Sequence, residues 1–356
     1  MRATVRDVAA RAGVSPKTVS NVINGIVFVR PETRERVEAA VEELEYVPNL
    51  SARGLRNGRT GAIALAFPDL AMEYSAEMLA EFVEVAHEKG WSIQLEQTGK
   101  RPERERELLS RGREHLVDGL ILNPIRLEAS AIVGADSLPP VVVIGEVEQT
   151  LVDRVAVDSV AAAKDMTAHL LELGHRRIAI VGAHSSDFDT ASALARTVGY
   201  RAALSEAGVP NDPALELVVV DWMPGFAGER VLRALDDGLE MDAVFAFTDT
   251  MATGALSALT SRGLRVPDDL SVVGFDDVNA GRYASPPLTT VSFDKRAFAE
   301  ATLDLLSQRI ADRARPPRAV VIPHRLVFRD STRRRILSAT STVAPSADSN
   351  DAAPHG

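Results

Sequence analysis

Cysteine is absent from the 356 residues, which excludes disulfide bonds and thiolate metal sites. No apolar run approaches membrane-spanning length, and the first residues lack the hydrophobic segment of a secretion signal, so we expect a cytoplasmic protein. The patterns of a phosphate-binding Gly-rich loop, a nucleophile elbow and a zinc protease are missing too, and the seven histidines are scattered. We therefore expect neither an enzyme nor a cofactor or metal site.

Positive charge is in short supply overall but is concentrated at one end. The chain holds 40 Lys and Arg against 50 Asp and Glu, which argues against a general affinity for nucleic acid. Residues 1–60 reverse this balance, with ten basic and seven acidic side chains, a net charge of +3 that leaves −13 for the remainder. Any contact with phosphate should therefore be made by the first 60 residues, and two copies should be needed.

The stretch GVSPKTVSNVING, at 13–25, predicts a short helix that begins at Ser15. Serine is a preferred N-cap, and the Pro16 that follows fits the first helical position. At helical spacing, one face carries Val19, Val22 and Ile23. The opposite face carries Lys17, Ser20, Asn21 and Asn24. Alone, this pattern is also typical of an ordinary amphipathic helix with a solvated face.

A second short helix is predicted just upstream. Thr4 and Asp7 form a capping-box pattern, and an apolar stripe ends at Gly13. Two short helices joined by a Gly-containing turn predict a helix-turn-helix, whose second helix enters the DNA major groove. Lys and Asn can read base edges there, while Ser and Thr can hold phosphates.

The segments that follow make this interpretation specific. A third helix is predicted over 31–46, and a polar, basic connector spans 48–60. The stretches DVAARAGVSPKTVSNVING, TRERVEAAVEELEYVPN and SARGLRNGRTGAIAL, in this order, resemble the N-terminal part of the LacI/GalR family of bacterial transcription regulators. The resemblance implies an all-α helix-turn-helix headpiece over 1–47 and a hinge helix over 48–60.

The same resemblance implies how DNA is bound. A homodimer would place two recognition helices on a pseudo-palindromic double-stranded operator, with Lys17 and Asn21 on base edges. The paired hinges would enter the minor groove, where Leu55 occupies the position of an apolar wedge that kinks DNA. The residues expected at DNA are Thr4, Ser15, Pro16, Lys17, Thr18, Ser20, Asn21, Asn24, Asn49, Ala52, Arg53 and Leu55.

From residue 61 onward, short apolar runs alternate with helical patterns near 73–89, 102–116, 191–207, 225–235 and 250–262. This alternation predicts an α/β core of two doubly wound parallel-sheet lobes, with a ligand cleft at the carboxyl ends of the strands. The stretches HLLELGHRRIAIVGA, RTVGYRAAL and GLRVPDDLSVVGFDD also resemble the LacI/GalR core, which is periplasmic-binding-protein-like.

The family resemblance implies that the chain crosses between the lobes three times. Lobe 1 is then expected at 61–159 and 289–317, and lobe 2 at 160–288 and 318–334. The tail, 335–356, is rich in small and polar residues without a heptad pattern, so we expect it to be disordered and the protein to be a dimer.

Seven residues are expected to bind an effector. The resemblance places Arg196, Asp276 and Trp222 at the positions of an arginine clamp, an acceptor of sugar hydroxyls and an aromatic platform. Thr248 stands where many family members have Asn, and Asp69, Tyr74 and Glu146 fit the first-lobe side by position. This set favours a neutral polyhydroxylated ligand, a sugar, while a purine or another small metabolite stays open.

The sequence thus predicts a transcription regulator whose operator affinity changes when a small molecule binds between the lobes. Repression is the commoner behaviour of the family. The direction of the ligand's effect stays open, because thermodynamic linkage allows both an inducer, which releases DNA, and a corepressor, which tightens binding. A solute-binding protein of the exported type, without a regulatory role, is the alternative.

Overall fold

The computed structural model describes residues 3–23, 29–46, 59–99, 101–114, 116–125, 132–133, 138–185 and 190–335. The chain forms three regions, a helical headpiece and two α/β lobes, and it passes more than once between the lobes. The headpiece has three helices, α1 (Val5–Ala12), α2 (Pro16–Ile23) and α3 (Pro31–Glu43). Val8, Val19 and Val37, one from each helix, are fully buried at the centre of its core.

Both predicted helix starts are confirmed. Thr4 accepts the Asp7 amide while the Asp7 carboxylate accepts the Thr4 amide at 2.8 Å, completing the capping box. Ser15 Oγ accepts the Thr18 amide at 3.1 Å. Between the helices Gly13 adopts a left-handed conformation, with φ of 63°, which ends α1. The third helix ends at Glu43, before the expected 46, because Glu45 takes a left-handed conformation with φ of 45°.

Lobe 1 is built on a six-stranded parallel sheet in the order β11-β5-β4-β3-β1-β2. Its strands are β1 (Ala62–Phe67), β2 (Ser92–Gln97), β3 (Gly119–Leu122), β4 (Val141–Ile144), β5 (Asp153–Val157) and β11 (Ala319–Ile322). Its helices are α4 (Glu73–Glu88), α5 (Pro102–Arg113) and α11 (Lys295–Ala311). Apolar clusters lie on both faces of this sheet, as expected for near-continuous apolar strands.

Lobe 2 has a second six-stranded sheet, in the order β12-β10-β9-β8-β6-β7. Its strands are β6 (Ile178–Val181), β7 (Glu216–Leu217), β8 (Ala243–Ala246), β9 (Ser271–Phe275), β10 (Thr289–Phe293) and β12 (His324–Val327). Its helices are α6 (Ser159–Glu172), α7 (Ala191–Glu206), α8 (Pro224–Asp236), α9 (Asp249–Ser261) and the short α10 (Asn279–Arg282). The predicted fold class, a helical headpiece and two doubly wound lobes, is confirmed.

The expected lobe boundaries need a correction at both late crossings. Thr289–Phe293, assigned to lobe 1 from the sequence, pairs with β9 and β12 and so belongs to lobe 2. Ala319–Ile322, assigned to lobe 2, pairs with β5 and so belongs to lobe 1. The chain therefore crosses several residues later than expected, because these assignments depend on strand partners distant in sequence.

Two details of lobe 2 also differ from the simple alternating pattern. The apolar run LELVVVD forms only the two-residue β7, because its partner β6 ends at Val181, which pairs with Leu217. The edge strand β12 runs antiparallel to β10, a common departure at the edge of an otherwise parallel sheet. No helix in the described part of the chain is long and apolar enough to span a membrane. The predicted tail beyond Arg335 lies outside the described residues.

Candidate ligand site and nucleic-acid interface

A cleft of about 160 Å³ lies between the two lobes at the carboxyl ends of their strands. All seven residues proposed from the sequence as effector contacts line it: Asp69, Tyr74, Glu146, Arg196, Trp222, Thr248 and Asp276. They meet because each of them except Tyr74 and Arg196 follows the carboxyl end of a strand, and parallel strands end at one edge of their sheet. Tyr74 lies in the first turn of α4, and Arg196 in the middle of α7.

Arg196 joins the lobes across the cleft. Its Nη2 donates to Glu146 Oε1 of lobe 1 at 3.0 Å and lies 3.9 Å from Asp276 Oδ1. Its Nη1 donates to the Phe247 carbonyl, and the guanidinium lies over the Phe275 ring, 3.6 Å from the centroid. The charge of this arginine is therefore already paired within the protein. Its Nη1 and Nη2 atoms both donate hydrogen bonds, whereas its buried Nε has no hydrogen-bond partner among the described residues.

Glu146 is the lobe 1 acceptor for three donors. Besides Arg196, Ser159 Oγ donates to Oε1 at 2.7 Å and Ser192 Oγ donates to Oε2 at 2.8 Å. Burial raises the pKa of Glu146, but the charge of Arg196 and these hydrogen bonds outweigh it and hold the pKa below its ordinary value. Glu146 is therefore an ionised carboxylate whose oxygens are engaged in binding the two lobes together.

Asp276 is in a different electrostatic environment. Burial raises the pKa of its carboxyl group to about 7, although Arg196 and Lys295 act in the opposite direction. Behind it, burial and the neighbouring Asp276 raise the pKa of Asp249 well above its usual range. The Asp276 carboxyl group lines the cleft and lies 3.9 Å from Arg196 Nη2, beyond hydrogen-bond distance, so this group is placed to accept hydrogen bonds from a bound molecule.

Trp222 and Thr248 supply the lobe 2 side of the cleft. Trp222 lies beside Arg196, with its ring centroid 5.9 Å from the guanidinium carbon, and its buried Nε1 has no partner among the described residues. The Thr248 hydroxyl caps α9 by accepting the Met251 amide at 3.1 Å. This bond takes one of the two acceptor positions of the hydroxyl, so Thr248 has fewer hydrogen-bonding positions open to the cleft than an amide side chain would have.

The sequence reasoning missed several polar residues of the same cleft, notably Asn123, Ser192 and Asp221. Asn123 directly follows β3, so the rule that pointed to the other strand ends could have found it. Ser192 lies one helical turn before Arg196 on α7, and Asp221 precedes Trp222. In the described lining, four carboxyl groups accompany the single arginine: Asp69, Glu146, Asp221 and Asp276.

The headpiece presents the predicted polar face of α2. Lys17 is exposed, Ser20 and Asn21 are half-buried, and Val19 and Val22 on the opposite face are buried. The Ser15 and Thr18 hydroxyls lie 2.9 Å apart and bond to each other at the start of the helix, next to the exposed Pro16. Five further proposed DNA contacts lie outside the described residues: Asn24, Asn49, Ala52, Arg53 and Leu55.

Among the described residues, no group of three or more His, Asp or Glu side chains could hold a metal ion. The structure therefore offers hydrogen-bond acceptors, an aromatic face and one paired arginine in the cleft. These groups are suited to binding a small molecule.

Comparison with known proteins gives two family matches. A family model described as bacterial regulatory proteins, lacI family, matches residues 4–49. A second, described as a periplasmic binding protein-like domain, matches residues 167–332. The first match covers the headpiece helices, and the second covers most of lobe 2 together with α11 and β11 of lobe 1.

Relatives match over nearly the whole chain. The HTH-type transcriptional repressor PurR of Vibrio atlanticus is 32% identical over 338 residues, which cover 93% of this chain and 99% of the relative. The solved transcriptional regulator CelR-cellobiose complex is 32% identical, with a TM-score of 0.68, over 93% of this chain and 100% of that one. The lac repressor dimer bound to operator and the anti-inducer ONPF is 30% identical, with a TM-score of 0.80, over 94% and 100% respectively.

Proposed function

Because this chain belongs to the LacI family of bacterial transcription regulators, we propose that a small molecule bound between its lobes controls its affinity for operator DNA. The protein is a DNA-binding transcriptional repressor and not an enzyme. The observation that carries the proposal is the cleft itself, where residues from both lobes converge on one volume of about 160 Å³. A ligand that contacts both lobes can favour one relative orientation of the lobes over another.

The proposed effector is a neutral sugar. Asp69, Asp221 and Asp276 can accept hydrogen bonds from hydroxyl groups, and Trp222 offers an aromatic face. The only arginine of the described lining is already paired with Glu146, so an anionic ligand would meet an excess of carboxyl groups. The similarity to a cellobiose-bound regulator supports this choice. A purine is the second candidate, because two aromatic residues, Tyr74 and Trp222, line the cleft.

The proposed DNA complex is a homodimer on a pseudo-palindromic operator. Lys17 and Asn21 read base edges, Thr18, Ser20 and Asn24 position the helix on the DNA backbone, and Pro16 offers an apolar contact. Thr4 and Ser15 are further DNA contacts. The hinge residues Asn49, Ala52, Arg53 and Leu55 complete the interface, with Leu55 as the minor-groove wedge. The likeness to a repressor dimer bound to operator supports this arrangement. A cytoplasmic location, on the nucleoid when operator is bound, stays a prediction.

A thermal-shift panel of sugars, sugar phosphates and nucleobases tests the effector proposal. A ligand that binds only the native state adds about 2.7 kcal/mol of stability at a concentration of 100 Kd. We expect a neutral sugar to raise the melting temperature, the shift to be absent in Asp276→Ala, and the shift to be retained in Asp304→Ala, which alters an exposed lobe 1 carboxylate. A nucleobase hit would favour the purine, and a sugar phosphate hit would contradict a neutral effector.

A further inference from the structure

An ion pair at the edge of lobe 1 makes hydrogen bonds with the backbone of the lobe 2 segment that follows Asp276. Glu77, on α4, accepts the Asn279 amide at 2.6 Å and also accepts Lys295 Nζ. Lys295, the first residue of α11, donates in addition to the Asp277 carbonyl at 3.0 Å. Because α4 and α11 pack together on lobe 1, this pair connects one lobe to the backbone of the other.

This segment, residues 277–279, has little freedom to move independently of Asp276. Asp276 and Asp277 both have positive φ, 112° and 49°, which side chains other than glycine rarely adopt. Within lobe 2 the segment is further fixed, because the Val278 amide donates to Asp249 Oδ2 at 2.9 Å and Arg329 Nη2 donates to Asp277 Oδ1. A shift of the Asp276 carboxyl group should therefore move the Asp277 carbonyl and the Asn279 amide with it.

Both members of the pair are also placed to act on Asp276 by charge. Lys295 lowers the pKa of Asp276 and Glu77 raises it, in addition to the larger effects of burial and Arg196. The two side chains are only 14% and 23% exposed, so solvent screens them less than it screens a surface pair. A change in the position or charge of the Asp276 carboxyl group therefore affects this pair in two ways, through the backbone and through electrostatic interaction.

We propose that Glu77 and Lys295 form an interlobe clasp that positions the Asp276 segment and couples occupancy of the cleft to the relative orientation of the lobes. The coupling part rests on the proposed function, since it takes Asp276 as an effector contact. Each member supplies what the lobe 2 backbone needs: Glu77 an acceptor for an N–H group, Lys295 a donor for a carbonyl. An exchange of the two charges would keep the ion pair but reverse both backbone contacts.

The first experiment measures the distance between the lobes in the full chain without ligand or DNA. Since the chain has no cysteine, Ser307→Cys on α11 and Ala214→Cys in lobe 2, both at exposed positions, can carry spin labels. Labelled chains are diluted with unlabelled chains so that distances within one chain dominate. We expect Glu77→Leu, which removes the acceptor, and Lys295→Met, which removes the donor, to broaden or shift the distance distribution, and Lys295→Arg, which retains a donor, to keep it.

Two further variants separate a clasp from a simple ion pair. The exchanged double variant Glu77→Lys with Lys295→Glu should behave like the single variants, whereas recovery of the parent distribution would overturn the proposal. Lys89→Met, which breaks an ion pair with Asp304 at 2.6 Å inside lobe 1, should leave the distribution unchanged. Hydrogen exchange gives a second measure: in Glu77→Leu, which leaves the Asn279 amide without its acceptor, this amide should exchange at least about tenfold faster. Unchanged exchange and an unchanged distribution would also overturn it.

The coupling is tested with the ligand that stabilises the parent in the thermal-shift panel. That ligand should still raise the melting temperature of Lys295→Met but should no longer change its interlobe distances as it does in the parent. A change equal to the parent's would overturn the coupling. The ligand-free measurements need no effector, so a panel without a hit would count against the effector assignment and not against the clasp.

Discussion

At Asp276 burial and the neighbouring positive charges act on the pKa in opposite directions. The carboxyl group lies between the lobes, near Arg196 and Lys295, yet burial raises its pKa to about 7. The folded chain therefore holds a proton on Asp276 over a pH range in which an unfolded chain, with a carboxyl pKa near 3.9, has released it. Stability must fall as the pH rises through this range.

Asp276→Asn should remove this pH dependence. From about pH 4 to pH 7 the parent loses stability that the variant keeps, so the variant should be the more stable protein at pH 8, by on the order of a few kcal/mol. The measurement is urea unfolding of both proteins from pH 4 to pH 8. Asp304→Asn, at an exposed site, serves as the control. Curves for Asp276→Asn that run parallel to the parent's would show that this carboxyl group titrates normally.

Prediction at the residue scale succeeded where position along a strand decided the outcome. Glu146, Thr248 and Asp276 follow buried apolar strands, so their place at the cleft could be inferred from the order of elements. Their chemical state could not. The pairing of Arg196 with Glu146, and the use of the Thr248 hydroxyl as a helix cap, depend on side-chain directions that no local pattern contains.

Helices α8 and α9 approach each other so closely that one of their glycines has no room for a side chain. A Cβ atom on Gly254 would lie 2.0 Å from the Pro224 carbonyl oxygen, which is backbone and cannot move aside easily. Gly225, next to Pro224 on the same helix, would have nothing within 4 Å of its added Cβ. The two glycines therefore form a matched pair for testing this contact.

Gly254→Ala should destabilise lobe 2 by about 1–3 kcal/mol or more, because overpacking forces the helices apart. Gly225→Ala should change stability by no more than about 0.5 kcal/mol, since the new methyl group meets no neighbour. Urea unfolding measured by circular dichroism compares the two variants with the parent. Equal stability of both variants would mean that α8 and α9 can separate without cost.

Prediction at the element scale was governed by how local each feature is. Caps and apolar periodicity lie within a few residues, so the starts of α1 and α2 and the alternation of helices with strands could be predicted. Strand partners are not local. The assignment of Thr289–Phe293 to lobe 2, the length of β7 and the direction of β12 all depend on pairing with distant segments.

At the scale of the whole molecule, the basic surface expected to contact DNA and the acidic surface around the ligand cleft lie in different parts of the chain. The headpiece and hinge together, residues 1–60, carry a net charge of +3, while the remainder carries −13 and would be repelled by phosphate. The headpiece also has a hydrophobic core of its own. The cleft lies between the lobes of the acidic part, so the proposed effector would act on DNA binding through conformation rather than by direct contact.

The most direct measurement is the Kd of the full chain for operator DNA, with and without the stabilising ligand. The operator is first obtained by selecting, from random DNA sequences, those that the full chain binds. We expect saturating ligand to change the Kd at least about fivefold, as typical coupling free energies allow. In Asp276→Ala the ligand-free Kd should match the parent's and the response to ligand should vanish, while Leu55→Ala should weaken binding in both states. An operator affinity that stays the same when a ligand saturates the cleft would contradict allosteric control.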